Sequence, residues 1–189
     1  MRYLLSVILT ISIGACLLYS CAKWKDPKGY TDPQLTNPYC NDPNAVNYNW
    51  GFPGKPDNTI CFYPNQLFAG NWEYYDTVTS LTSGLVLFTD SFLMNIHTIS
   101  DTMISVFGFC GSSIDSVILT AGPTYIATVD TLIGDSITTE GQRLCRIQDT
   151  INGTITRDRI DSPYVLHISL QVVSDTGTTI HSGSAFVRP

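Results

Sequence analysis

The chain carries little charge. Only 14% of its 189 residues are Asp, Glu, Lys or Arg, and Glu73 and Glu140 are its only glutamates. Every lysine lies at or before Lys55. Surface helices rich in Glu and Lys have little material to draw on, and no sustained i, i+3, i+4 apolar stripe runs through the body of the sequence. The few basic residues form no stripe, while the formal net charge is −6. That argues against a nucleic-acid partner, whose phosphates need clustered Lys and Arg. No two cysteines have C-x-x-C spacing, which argues against zinc. No phosphate loop or dinucleotide fingerprint occurs. Gly108-Phe109-Cys110-Gly111-Ser112-Ser113 lacks the G-x-S-x-G spacing of a nucleophile elbow. Of the three histidines, His97, His167 and His181, none has a second histidine or an acid at H-E-x-x-H spacing. They are expected scattered on strand faces. A histidine-based enzyme would need two of them to meet each other or an aspartate in a cleft. No carboxylate pair is nominated as acid and base, and the aspartates are expected at strand ends as turn formers. A non-catalytic role is therefore expected.

Apolar sequence is concentrated at the start. Arg2 is the only charge before Lys23, and Tyr3 to Tyr19 is almost wholly apolar or small. Leu18-Tyr19-Ser20-Cys21 follows, and then the polar run Ala22-Lys23-Trp24-Lys25-Asp26. A cationic start, an apolar core and a small residue before a cut describe a secretory signal over 1–20. The small residue followed by Cys21 resembles the lipobox of bacterial lipoproteins. That resemblance implies cleavage before Cys21, its acylation, and a bilayer anchor made firm by more than one chain. Ile13-Gly14-Ala15-Cys16 is a rival site, but a cut there would leave an apolar leader with no evident role. An uncleaved membrane anchor and an ordinary signal peptide are the alternatives; the run of about 17 residues is short for a span. Loss of Arg2 would leave 9 basic against 16 acidic residues, a charge of −7. The expected location is the outer membrane. Lys23, Lys25 and Asp26 match a surface-export signal poorly, so periplasmic and surface display both stay open.

With Cys16 removed and Cys21 acylated, four cysteines remain, and an even number in an exported chain suggests disulfides. Cys40–Cys61 and Cys110–Cys145 are the favoured pairs, the alternative being unpaired core cysteines. Residues 21–38, with Pro27, Pro33, Pro38 and Gly29, read as a flexible tether. Residues 39–65 form a Cys-bracketed module too rich in Pro and Gly for a regular helix or strand. Cys40, Asp42, Ala45, Asn47, Tyr48, Asp57, Cys61 and Tyr63 resemble a short repeat of secreted Bacteroidota proteins. Asp42, Asn44, Asn47, Asn49, Asp57 and Asn58 offer oxygens to calcium, with Asp42, Asn44, Asn47 and Asp57 as the candidate set. The same residues also cap turns without metal.

Residues 66–189 read as all-β: about eight to ten antiparallel strands in a single barrel or sandwich, rich in Thr, Val, Ile and Tyr. The clearest strand is 164–172, with Leu166, Ile168, Leu170 and Val172 on one face and His167, Ser169 and Gln171 on the other. Further strands are expected near 71–79, 85–88, 91–98, 103–109, 116–119, 124–131, 148–159 and 184–188, with Asp175-Thr176-Gly177 as a hairpin turn. Gly70-Asn71-Trp72 on the first strand resembles lipocalin-like barrels, in which the Trp plugs one end. The resemblance implies a carrier of a small apolar ligand; otherwise the partner is an envelope protein. Trp72 would equally serve as a core anchor. Six Asp-hydroxyl-aliphatic tripeptides, at Thr77, Thr102, Ser116, Thr131, Ser136 and Thr150, resemble the O-glycosylation sequon of exported Bacteroidota proteins. A Thr-rich β protein with Asp at its turns also yields such matches.

Overall fold

The computed structural model describes residues 32–109, 116–133, 136–137, 141–143, 149–158 and 164–188. The expected signal, Cys16, Cys21, most of the tether, and the Cys110–Cys145 pair lie outside them.

The Cys-bracketed module is held by short-range bonds. A two-residue strand β1, Pro38–Tyr39, pairs in parallel with β2, Lys55–Pro56. The Cys40–Cys61 disulfide is present, with the Cα atoms 5.0 Å apart. The Asn47 amide spans the loop, donating to the Ile60 carbonyl at 2.8 Å and accepting from the Phe62 N–H at 2.8 Å. Its neighbour Val46 is buried in the main core, and Phe62 packs against that core. The module therefore shares the barrel's apolar interior. A one-turn helix, α1, Asn65–Phe68, follows, where the sequence pattern suggested the onset of strands. Pro64 precedes it and its buried face is Leu67 and Phe68.

Eight long strands then close into a barrel. They are β3 (Gly70–Ser80), β4 (Val86–Ser100), β5 (Met103–Phe107), β6 (Ser116–Ala121), β7 (Ile126–Val129), β11 (Thr150–Arg157), β12 (Val165–Ser174) and β13 (Gly177–Val187). Between β7 and β11 lie the small hairpin β8 (Leu132–Ile133) and β9 (Ser136–Ile137), and β10 (Gln142–Arg143). Each barrel strand pairs antiparallel with its neighbour in this order, β7 with β11, and β13 returns to β3. This is an up-and-down barrel, which settles barrel against sandwich and leaves no long edge unpaired among the described residues. The β7–β11 seam is short, joining Thr128, Ala127 and Ile126 to Thr154, Ile155 and Thr156. Beyond it, β10 adds to β11, and the buried Gln142 amide takes the place of a strand. Its Oε1 accepts from the Ile118 N–H at 2.9 Å, and its Nε2 donates to the Ile118 and Asp130 carbonyls.

Alternation sets the interior. On β3, Trp72, Tyr74, Asp76 and Val78 point inward; on β12, Leu166, Ile168, Leu170 and Val172 do. Two strand boundaries differ from expectation. Segments 85–88 and 91–98 are one continuous strand, β4, because the polar Thr89-Asp90 pair interrupts the apolar pattern without breaking the ladder. The last strand begins at Gly177, seven residues before the expected start, since its inward positions there are Thr179, His181 and Gly183 rather than aliphatics.

One barrel end is shut. α1 packs under it, with Phe68 and Trp72 buried. The Trp72 indole N–H donates to the Phe68 carbonyl at 2.9 Å, and the Arg157 guanidinium donates to the Leu67 carbonyl. Trp72 is thus both a core anchor and part of the plug.

Candidate functional site

Toward the other end the described residues surround a space. A cavity of about 270 Å3 opens there between β3, β4, the end of β5, β11, β12 and β13. Its walls are Phe88, Phe92, Phe109, Ile151, Leu170 and Val172, with Gly108 at the β5 end. Its polar residues are Asp76, Asp90 and His181. Two of these rings pack on the buried Tyr74: Tyr74 meets Phe92 edge-on at 5.3 Å, Phe92 meets Phe109 at 5.7 Å, and Tyr74 meets Phe109 at 6.5 Å. Such edge-to-face contacts suit the ring quadrupoles. Gly108 has φ +119°, and a Cβ there would lie 2.4 Å from the Leu93 carbonyl oxygen. Only glycine lets the chain turn against β4 at this wall.

A buried polar chain lies beside the rings. The Tyr74 hydroxyl donates to Asp76 Oδ1 at 2.8 Å, and His181 Nδ1 stands 2.6 Å from Asp76 Oδ2. Tyr74 and Asp76 are inward residues of β3, two apart, so their side chains project side by side. His181 comes from β13, whose register sets Gly183 opposite Asp76 and His181 opposite Val78. Asp76 is only 4% exposed, and each of its carboxyl oxygens has one of these partners. Burial, reinforced by the Asp76 charge and their hydrogen bond, pushes the Tyr74 phenol well above its ordinary value of 10.0, so it stays a proton donor. The hydrogen-bond network assigns the other proton to His181 Nδ1, facing the carboxylate. His181 Nε2 then faces the Thr179 hydroxyl at 3.3 Å.

The expected sites are placed as follows. His97 is exposed on the outer face of β4, its ring edge-on to Phe107 at 5.3 Å. His167 lies outside on β12, 3.3 Å from the Ser184 hydroxyl. His181 departs from the scattered pattern: it meets an aspartate in a cleft. The expectation that aspartates sit at strand ends fails at Asp76, which is mid-strand and inward. Of the candidate calcium ligands, Asp42 accepts from the Asn44 N–H and from the Tyr63 hydroxyl. Asp57 accepts from both the N–H and the hydroxyl of Thr59, which hold its carboxyl below the usual range, with lesser help from Lys55. Asn47 is engaged across its own loop as described. These oxygens serve the turns, and no group of three His, Cys, Asp or Glu side chains gathers among the described residues. Of the glycosylation candidates, Thr77, Thr102, Ser116, Thr131 and Thr150 are half-buried, and Ser136 lies on β9.

A sequence signal for the site did exist. Asp76 and Asp90 break the apolar alternation of β3 and β4 at positions where a filled barrel would carry aliphatics, and the register puts them directly opposite each other.

No family model and no curated protein matches the chain. Among solved structures, a redesigned β-barrel matches with 17% identity and a TM-score of 0.39, over 67% of this chain and 96% of its own. A second, EF1p2_mFAP2b bound to DFHBI, matches with 17% identity and a TM-score of 0.40, over 66% of this chain and 97% of its own.

Proposed function

We propose that this protein is a small-molecule binding barrel, tethered to the outer membrane through acylated Cys21. The observation that carries the reading is the cavity over the Tyr74–Asp76–His181 chain. A barrel built only as a scaffold gains more from filling both ends with aliphatic side chains than from a buried carboxylate beside empty space. Here one end is filled, and the described residues of the other surround a cavity with apolar walls and a few fixed polar groups, the usual make-up of a ligand site. At about 270 Å3 the space lies near the lower end of the ~300–1,000 Å3 common for such pockets. A small ligand fits it; a long acyl chain does not. The role is binding rather than catalysis. β13 is paired on both sides, so its N–H groups beside His181 are not free to hold an oxyanion.

Native mass spectrometry of the full-length protein, purified from its own host in mild detergent, tests both parts. Added mass that leaves on denaturation supports the ligand. Mass of two or three acyl chains that persists, and that is lost in Cys21→Ala, supports the anchor. A protein that carries no releasable mass and takes up no compound from a small-molecule library would overturn the binding reading.

A further inference from the structure

We propose that the ligand is a small organic cation, an ammonium group on an apolar body, with Asp90 as its counter-ion. The inference rests on the binding reading above and adds the ligand's charge. On β4 the inward-facing sequence is Phe88, Asp90, Phe92, so a carboxylate is bracketed by two rings on one strand face. Phe109 supplies a third ring. The register places Asp90 opposite Asp76, yet the two carboxylates are not equivalent. Asp76 is buried and spent on Tyr74 and His181. Asp90 is exposed at the mouth; its Oδ1 accepts the Ser91 N–H at 2.8 Å, and its Oδ2 has no partner among the described residues.

Among the described residues no lysine or arginine lines the cavity. Two aspartates against one histidine give its described lining an excess of negative charge. An anionic ligand would face like charge, and a neutral one would leave the Asp90 carboxylate beside an apolar wall with no gain. An ammonium satisfies both features. It pairs with Asp90 and rests against the negative faces of Phe88, Phe92 and Phe109, the arrangement that favours quaternary and primary amines. The apolar body then lies against Ile151 and Leu170, below.

The test is calorimetric titration of the full-length protein in a maltoside, an uncharged detergent, with three probes of one shape: benzyltrimethylammonium, benzyl alcohol and benzoate. The cation is expected to bind about tenfold more tightly than the alcohol, with benzoate weakest. Asp90→Asn, at an exposed position, is expected to keep the melting temperature and to shrink the cation-to-alcohol ratio by about tenfold. Equal affinities for cation and alcohol, or a ratio that Asp90→Asn leaves unchanged, would sink the cation proposal while leaving a ligand site intact. Binding of none of the three probes would overturn both readings.

Discussion

The two ends of the barrel are made from the same eight strands with the same alternation, yet among the described residues one is packed and the other surrounds a cavity. At the closed end the inward positions carry Trp72, Met94, Ile96, Ile104 and Leu166, with Phe68 beneath them, all buried. At the open end the same strands carry Asp76, Asp90 and His181, together with rings that stand around a space. Strand geometry is indifferent to this choice. What differs is the side chains the alternation delivers, so stability and function are written into opposite halves of one wall.

The comparison can be broken most severely at the closed end. Phe68→Ala removes a fully buried ring from the plug and leaves a void that the surrounding strands cannot close. A loss of about 3–5 kcal/mol in denaturant unfolding is expected. Phe88→Ala, the corresponding truncation of a ring at the open end, where Phe88 is 54% exposed, should cost under about 1 kcal/mol. Equal losses would mean that the open end is as load-sharing as the closed one. Asp76→Ala comes next. It strands the Tyr74 hydroxyl and His181 Nδ1 beside an apolar wall, and should cost about 2–3 kcal/mol. Asp76→Asn keeps an acceptor and should lose less; a neutral outcome for both would show that the polar chain contributes nothing to the fold.

The fold was largely legible before the structure. Leu166, Ile168, Leu170 and Val172 announce β12 by strict alternation, and the Cys40–Cys61 bond is the pairing favoured for closing a compact loop-rich segment. Legibility failed where inward positions are polar. Thr89-Asp90 split β4 into two expected strands, and His181 with Gly183 hid the first half of β13. Gly183 has its own reason: a Cβ there would lie 1.8 Å from the Tyr75 carbonyl oxygen, so β13 and β3 can approach only without one. Asp76, Asp90 and His181 are far apart in sequence, and nothing short of the β13–β3–β4 register brings them together. Residues that violate the pattern of a filled barrel are the ones that line its cavity, as expected where function overrides packing.

The finest test of the contrast is alkaline titration of Tyr74. In the folded protein its phenol is held above the ordinary value of 10.0, first by burial and then by Asp76. In the unfolded chain it releases its proton near 10. Below that pH both states are protonated and the contribution is fully present. Above it the unfolded state loses a proton that the folded state keeps, so deprotonation favours unfolding and stability falls as pH rises. The slope from this one group reaches at most about 1.4 kcal/mol per pH unit. Tyr74→Phe should lower stability at neutral pH by about 1 kcal/mol, for the lost hydrogen bond to Asp76. It should also flatten the decline between about pH 10 and 11 relative to wild type, so that the two curves converge there. Tyr63, raised by its bond to Asp42, titrates in both proteins and cancels from the difference. Parallel curves across that range would mean that the Tyr74 phenol is not held in the buried, charge-facing position on which the open end's polar chain depends.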